Sequence, residues 1–161
     1  MSDRDPVASE GAVTHNAATI RPLTSDDYSA WLPLWQQYMG FHGVWPEDVP
    51  LAAWPRFLDP SEPMYAIGAF VNERLVGFAH YVFHRHTWTE ANCCFLADVF
   101  TVPDARRSGV AKTLVESVFA RAAERGADHV YGTTLLSNEL SHRLYDQVAE
   151  RMNVLFYRHQ L

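Results

Sequence analysis

The chain has 161 residues, of which 48% are hydrophobic and 20% charged, and its formal net charge at pH 7 is −6. This length and composition predict one globular domain with its own core, and the acidic balance argues against a general nucleic-acid-binding protein. No apolar run approaches the ~20 residues that cross a membrane. The two cysteines, Cys93 and Cys94, are neighbours in sequence, so they predict neither a disulfide nor a zinc site and favour a reducing, cytoplasmic setting.

The first part of the chain predicts a disordered tail, a strand and two helices. Residues 1–18 are rich in small and charged side chains, and we place them outside a single domain of residues 19–161. Thr19–Leu23 favours a strand. Apolar residues at helical spacing then predict two helices, the first with Trp31, Leu34, Trp35 and Tyr38 and the second with Trp54, Phe57 and Leu58.

The second part of the chain predicts strands that alternate with helices. Apolar runs favour a hairpin and a third strand: Met64–Val71, a turn at Asn72-Glu73, Leu75–His86, and Cys93–Val102. The later elements are a helix that stops at Gly126, a strand His129–Leu135, a helix capped by Ser137 or Asn138, and a last strand Val154–His159. This order predicts an α/β fold with a mixed sheet and helices on its faces.

One stretch, Asp98–Thr113, combines a strand, a proline-ended turn, a basic loop and the start of a helix. Free backbone N–H groups and the positive end of the helix dipole attract phosphate at such a loop, and Arg106 and Arg107 add full charges. The stretch therefore predicts a site for a phosphorylated cofactor. It matches neither a nucleotide-triphosphate P-loop nor a Rossmann fingerprint, because Gly109 is its single glycine.

Two short patterns are similar to those of one acetyltransferase superfamily. Residues 106–111, Arg-x-x-Gly-x-Ala, resemble the pyrophosphate loop of the GCN5-related N-acetyltransferases (GNAT). Residues 138–145, Asn-x-x-Ser-x-x-Leu-Tyr, resemble a later helix of the same superfamily. The resemblance extends from about residue 20 to residue 161. It implies the GNAT fold, in which a mixed, mostly antiparallel central sheet carries helices on both faces and its strands splay apart at the acetyl-CoA site.

Two branches of the superfamily are most similar. Residues 76–83, Trp88 and residues 96–100 look like the spermidine/spermine N-acetyltransferases, whereas residues 144–150 and 156–158 are similar to the yeast Hpa-type enzymes. The resemblance implies direct transfer of the acetyl group of acetyl-CoA to a primary amine of a small basic acceptor, polyamine-like or amino-acid-like. It also implies a homodimer. We expect no metal cofactor.

The resemblance assigns roles to individual residues. The backbone of Val99, Phe100 and Thr101 is expected to pair with the pantetheine arm. The pyrophosphate is expected at the loop and the first helical turn, with Asn138 as a further cofactor contact: Arg106, Arg107, Ser108, Gly109, Val110, Ala111, Lys112 and Thr113. Tyr145 is expected to protonate the departing thiolate.

The residues expected near the acceptor amine each allow more than one role. We expect Asp98 to bind the amine or relay its proton through water, and Trp88 to wall the acceptor cleft or to anchor a loop. Related enzymes have a carboxylate base where Ala97 or Phe95 stands here, so the general base is not assigned. The alternative functions are acetylation of protein lysine or histone-like tails, and a non-catalytic acyl-CoA-binding module.

Three histidines of one predicted strand form a further candidate cluster. His80, His84 and His86 have the same parity, so an unbent strand places them on one face. They predict either a polar face able to relay a proton or a metal site. The second requires a bend, because three ligands along a straight strand spread over roughly 20 Å at ~3.3 Å per residue.

Overall fold

A computed structural model describes residues 17–43 and 49–161, which form one five-stranded sheet with four α-helices around it. The strands are β1 (Thr19–Pro22), β2 (Met64–Val71), β3 (Arg74–Arg85), β4 (Asn92–Thr101) and β5 (Val130–Gly132), and the helices are α1 (Tyr28–Phe41), α2 (Val49–Leu58), α3 (Val110–Glu124) and α4 (Glu139–Val148). The strands lie side by side in chain order. Strands β1 to β4 pair antiparallel and β5 pairs parallel with β4. The predicted mixed, mostly antiparallel sheet is confirmed.

The β2–β3 hairpin turns at Asn72 and Glu73, which both have positive φ, 49° and 65°. Two such residues in succession are typical of the tight turn that matches the twist of paired strands. The resulting register pairs Ala66 with His80, and the next strand pair places His80 opposite Asp98. The predicted hairpin is confirmed, and it determines which side chains of β3 and β4 meet.

Helices cover both faces of the sheet, as predicted. On one face Phe78 packs against α1, with its ring centroid 6.0 Å from that of Trp35. The neighbouring residue Gly77 faces α3, where a Cβ at this position would lie 3.3 Å from Leu114. The same Cβ would lie 2.6 Å from the carbonyl oxygen of Phe100, so the close approach of β3 and β4 requires glycine here.

The core lies in two layers, one on each side of the sheet. In the first layer α1 contributes Trp31 and Trp35, which are buried and lie at the helical spacing predicted for them. In the second layer α3 contributes Leu114, Val115 and Val118, each fully buried. The two layers hold β3 and β4 between them, so side chains at the centre of these strands are shielded from water.

Strands β4 and β5 separate after three paired residues: Cys94 with Val130, Phe95 with Tyr131, and Leu96 with Gly132. Beyond Leu96, β4 stays paired with β3 as far as Thr101, and no described strand lies along its other edge. At the point of separation a Cβ on Gly132 would lie 3.0 Å from the Leu96 carbonyl oxygen, so the two backbones are in close contact there. The predicted splayed strands are confirmed.

The last predicted strand, Val154–His159, is wrong. Residues 150–161 have no regular secondary structure and are exposed throughout. Strand β5 is also shorter than the predicted His129–Leu135, because it ends at Gly132. An apolar alternation becomes a strand only where a sheet edge pairs its backbone N–H and C=O groups, and the described part of this chain forms no such pairing with residues 150–161.

Residues 1–16 and 44–48 lie outside the described residues, and with them lies most of the tail predicted for residues 1–18. The domain boundary at residue 19 therefore stays a prediction. No helix in the described part of the chain has the length and apolar character to cross a membrane.

Candidate active site

The loop between β4 and α3 is built around an exposed turn. A single 3-10 turn, Pro103–Ala105, follows the strand, and the Ser108 hydroxyl donates a hydrogen bond to the Ala105 carbonyl at 2.6 Å. Arg107 has a φ of 60° and Gly109 a φ of 85°, both in the left-handed region. Two such residues reverse the chain so that α3 begins at once, at Val110. The loop thereby presents its backbone and both arginines to solvent.

The N-terminus of α3 offers free hydrogen-bond donors. In the described chain, the first backbone N–H of this helix that finds a carbonyl is that of Thr113, which donates to Gly109 at 3.0 Å. The N–H groups of Val110, Ala111 and Lys112 therefore point out of the helix end, where the helix dipole is positive. Such an end binds anions, and a pyrophosphate fits the donors present.

Two arginines border these donors. Arg106 is anchored, because its Nε donates to the Thr101 carbonyl at 3.4 Å. Arg107 is exposed. No ion pair involves either guanidinium in the described part of the chain, so both charges are available to an anionic ligand. The surroundings of the predicted pyrophosphate site thus match its chemistry.

The outer edge of β4 continues this site. Val99, Phe100 and Thr101 pair with β3 on one side, and on the other side the separation of β5 leaves their backbone without a strand neighbour. An extended amide-bearing chain fits such an edge by forming strand-like hydrogen bonds. A ligand with a pantetheine arm and a pyrophosphate can therefore follow β4 and end at α3.

Asp98 lies just beyond the separation point and is the single acidic residue of β4. Its Oδ2 is 3.0 Å from His80 Nδ1, and the Trp31 indole N–H donates to His80 Nε2 at 2.9 Å. Tyr38 lies close enough for the Asp98 charge to raise the pKa of its hydroxyl. The Asp98 side chain keeps 21% of its surface exposed, so the carboxylate is held from the protein side and still accessible from the cleft.

Two tyrosines lie near this carboxylate. Burial raises the pKa of Tyr38 well above its usual value, and the charge of Asp98 raises it further. Burial also raises the pKa of Tyr145, again with a contribution from the Asp98 charge. Both phenols therefore keep their protons at neutral pH, and the site combines one carboxylate with two neutral O–H groups.

Helix α4 positions Tyr145. The Asn138 side chain caps the helix by accepting a hydrogen bond from the Ser141 N–H at 3.2 Å. This is the capping role that asparagine prefers. Tyr145 is half-buried and packs against the core beside Leu144. The cap therefore fixes the helix that carries the tyrosine, and the structure brings Tyr145 and Asp98 to the same region.

Trp88 lies elsewhere. It is 92% exposed on the loop between β3 and β4, with its ring 5.6 Å from that of His86. From Asn92, where β4 begins, to Asp98 the strand runs roughly 20 Å at ~3.3 Å per residue. The structure thus does not bring Trp88 together with Asp98, and a role in the acceptor cleft stays a prediction.

The three strand histidines do not form one site. His80 is buried, whereas His84 is partly exposed and its Nε2 lies 2.9 Å from the Tyr131 hydroxyl. An irregularity in the β3–β4 pairing follows directly after His80 and separates it from the other two. His86 lies against His129, with ring centroids 5.9 Å apart. A metal site shared by His80, His84 and His86 is therefore not supported.

A different set of polar groups surrounds Cys93. Its Sγ lies 3.6 Å from His129 Nδ1, and that nitrogen lies 2.7 Å from an Asp128 carboxylate oxygen. In the described residues these three ligand-type atoms lie within 4.8 Å of one another. Hydrogen bonds account for the observed contacts, and the expected absence of a metal stays a prediction.

Sequence reasoning missed Trp31, Tyr38 and the specific role of His80. Trp31 and Tyr38 were identified only as apolar positions of a helix, and His80 only as one of three histidines. One signal was available, because a histidine inside an apolar strand is buried and buried polar groups have hydrogen-bond partners. Which partners these are depends on contacts between α1, β3 and β4 that no local pattern contains.

Known proteins are similar to this chain in sequence and in fold. Residues 21–149 match the profile of the acetyltransferase (GNAT) family. The D-amino-acid N-acetyltransferase HPA3 of Saccharomyces cerevisiae is 30% identical over 161 residues, which cover 98% of each chain.

Solved structures share the fold at lower identity. The ribosomal-protein-alanine N-acetyltransferase of Brucella melitensis has a TM-score of 0.74 and 23% identity, covering 90% of this chain and 100% of its own. The enzyme AAC(6')-Iy, solved with a bisubstrate analog of coenzyme A and acetylneamine, has a TM-score of 0.76 and 23% identity, covering 89% of this chain and 99% of its own. With a family match over most of its length, the chain belongs to the acetyltransferase (GNAT) family.

Proposed function

We propose that this N-acetyltransferase transfers the acetyl group of acetyl-CoA directly to a primary amine of a small basic acceptor, amino-acid-like or polyamine-like. The observation that carries the proposal is the position of Asp98, a partly exposed carboxylate beside the end of the open β4 edge. A single anionic group suits one ammonium group of a small molecule. The 30% identical yeast relative, named for D-amino acids, supports the amino-acid-like class.

The proposed acceptor needs help to react. An alkylamine with a pKa of ~10.4 is neutral in only about one molecule in 2,500 at pH 7, which corresponds to roughly 4.6 kcal/mol. In the proposed mechanism Asp98 attracts the ammonium form and receives its proton, directly or through water. His80 holds the carboxylate from the protein side, so its exposed side remains for the amine.

The departing thiolate needs a proton in turn. The thioester of acetyl-CoA supplies an activated acetyl group, so the amine nitrogen attacks the carbonyl carbon and the carbon–sulfur bond breaks. We assign Tyr145 as the acid that gives its hydroxyl proton to the sulfur. Its raised pKa keeps this proton in place until the negative charge develops. The proton taken from the amine and the proton given to sulfur then balance the transfer.

The cofactor assignments follow the same proposal. Residues 99–101 offer the pantetheine arm an open strand edge, and residues 106–113 offer the pyrophosphate two arginines and free N–H donors. Asn138 caps α4, and we propose that it also contacts the cofactor. A reducing, cytoplasmic location also remains proposed, in agreement with the free thiols of Cys93 and Cys94.

We further propose that two copies of the chain form a homodimer through the C-terminal segment, residues 150–161. Its large apolar side chains are exposed, among them Val154 at 75%, Phe156 at 75% and Tyr157 at 84%. Strand β5 forms the edge of the described sheet. Exposed apolar segments and open sheet edges are both typical of protein–protein contacts, and a second copy satisfies both at once.

An acceptor screen tests the proposed activity. We expect thiol release and acetylated product with D-amino acids, L-amino acids, spermidine or an aminoglycoside, and little with a lysine-containing histone-tail peptide. Asp98→Asn should lower kcat/KM for the best acceptor about 100-fold, because the amine loses its anionic partner. Asp104→Asn, which changes an exposed carboxylate paired with Arg74, is the matched control.

Two results of this screen contradict the proposal. A preference for the peptide over every small amine identifies the protein-tail alternative. Stabilisation of the protein by acetyl-CoA without thiol release, for any amine tested, identifies the non-catalytic binding module instead.

Tyr145→Phe tests the assigned acid. We expect kcat to fall about 100-fold with saturating substrates, because the thiolate must then leave without a proton donor. The Kd of acetyl-CoA, measured calorimetrically, should stay within about twofold. Tyr65→Phe is the control, because it also removes a phenol hydroxyl, one bonded to Arg125 on the opposite layer. An unchanged kcat in Tyr145→Phe means that another group is the acid.

Arg106→Gln and Arg107→Gln test the pyrophosphate site. Each should weaken coenzyme A binding about tenfold, equivalent to about 1.4 kcal/mol, and the loss should shrink at high salt because the contacts are exposed. Binding of acetyl-pantetheine, which lacks the pyrophosphate, should not change. Arg125→Gln is the control on the other end of α3. If the substitutions weaken the binding of coenzyme A and of acetyl-pantetheine equally, the arginines do not contact the pyrophosphate.

Sedimentation tests the homodimer. We expect the full chain to sediment as a dimer, and a chain ending at Ala149 or carrying Phe156→Asp to sediment as a monomer, because the apolar contact is removed or charged. Arg158→Ala, a polar change in the same segment, should leave the dimer intact. A full chain that sediments as a monomer at micromolar concentration contradicts the assignment.

A further inference from the structure

Side chains of three elements form one hydrogen-bonded chain: Trp31 of α1, His80 of β3 and Asp98 of β4. Trp31 is fully buried, and its Nε1 donates to His80 Nε2 at 2.9 Å. His80 is 2% exposed, and its Nδ1 lies 3.0 Å from Asp98 Oδ2. Tyr38, two turns after Trp31 on the same helix, is near enough for the Asp98 charge to raise its pKa. The position of the carboxylate therefore depends on β3 and α1 together.

The chemistry of Trp31 determines the tautomer of His80. An indole N–H is a donor only, so the ring nitrogen that faces it must present a lone pair. His80 Nε2 is thus unprotonated, and in the neutral ring the hydrogen is on Nδ1. Nδ1 then donates to Asp98. A second proton on Nε2 would place two N–H groups against each other between two buried side chains.

The packing around His80 leaves its ring one orientation. Phe57 and Phe78 stack on the imidazole with ring centroids 4.4 and 4.5 Å away. Trp35 meets it edge-on at 5.0 Å. A ring held between stacked aromatic side chains cannot flip, a rotation that would put ring carbons in the places of Nδ1 and Nε2, so the packing keeps Nε2 toward Trp31 and Nδ1 toward Asp98.

We propose that His80 is a positioning residue: Trp31 holds it as the Nδ1–H tautomer, and in that form it orients Asp98 toward the acceptor amine and does not itself accept the amine proton. This inference rests on the proposed function, in which Asp98 faces the amine. It removes His80 from the candidate bases and assigns a reaction-related role to Trp31, a residue of the core.

The titratable groups near His80 are few. Asp98 faces it from β4, Tyr38 lies on α1 and Tyr145 on α4, and the Asp98 charge raises the pKa of both tyrosines. The described part of α2 presents Trp54 and Phe57 to this layer, neither of which titrates. His42 contacts Tyr38 with ring centroids 4.6 Å apart, so it is the control histidine for experiments on His80.

Nuclear magnetic resonance of the ligand-free full chain tests the tautomer independently of any activity. In protein labelled with ¹⁵N- and ¹³C-histidine, the His80 signals are those lost in His80→Asn. We expect the Nδ1–H pattern, with Nε2 unprotonated. In Trp31→Phe, which keeps an aromatic ring but removes the donor, nothing on α1 selects the tautomer, and the signals should show a mixture of both forms. An Nε2–H pattern in the wild type overturns the proposal.

Kinetics test the positioning role. His80→Phe should lower kcat/KM for the acceptor about 100-fold, as expected for a misplaced catalytic group, with the KM of acetyl-CoA within about twofold. His80→Asn keeps a side-chain N–H toward Asp98 and should stay within about threefold of the wild type. An equal loss of kcat/KM in His80→Phe and His80→Asn overturns the positioning role. If His80→Phe does not fold, Trp31→Phe, which removes the donor that holds His80, takes its place in the comparison.

Rescue by a second substitution separates this role from a structural one. Trp31→Phe alone should lower kcat/KM for the acceptor, because His80 is then no longer held as one tautomer. The double variant Trp31→Phe with His80→Asn should recover, because the asparagine keeps an N–H toward Asp98, whereas His42→Asn on the Trp31→Phe background should not. A double variant with His80→Asn that stays as slow as Trp31→Phe overturns the proposal. If no acceptor is found, the proposed function fails while the resonance experiment still decides the tautomer.

Discussion

The separation of β4 from β5 after Leu96 is the constraint on which the rest of the site depends. Three residue pairs join these strands, and their close backbone contact at Gly132 ends just where the open edge of β4 begins. Had pairing continued, the backbone of residues 99–101 would be occupied and Asp98 would be covered. The same separation directs the chain after β5 toward α4, which brings Tyr145 to the opening.

The closed side of β4 supports its open side. Residues 77–85 of β3 pair with residues 92–101 of β4, and Gly77 allows a close approach of the two backbones that any larger residue would prevent. Opposite Asp98 this tight pairing places His80, a polar residue in an aromatic layer. Burying it is tolerable because both ring nitrogens have partners. The need to satisfy a buried imidazole therefore also determines how the carboxylate on the other strand is held.

Local patterns in the sequence predicted the elements that local interactions determine. The turn at Asn72-Glu73 and the strand–loop–helix unit of residues 98–113 were predicted correctly, because each depends on residues close in sequence. Two failures have one cause. The strand expected at Val154–His159 requires an edge to pair with, and the partners of His80 lie 18 and 49 residues away in the chain. Neither kind of contact is encoded in a short window.

The two halves of the site differ in what specifies them. The proposed cofactor half uses mostly backbone groups, namely a strand edge and a helix end, together with a turn that needs Gly109. The proposed cofactor half of the site is therefore specified by a few residues and by the backbone of the fold. The proposed acceptor half depends on side chains from α1, β3, β4 and α4 that lie near Asp98. On the proposed assignment, a change in one of these would alter the acceptor without disturbing the backbone that holds the donor. A common fold can in this way serve acceptors as different as those named for the D-amino-acid and aminoglycoside acetyltransferases.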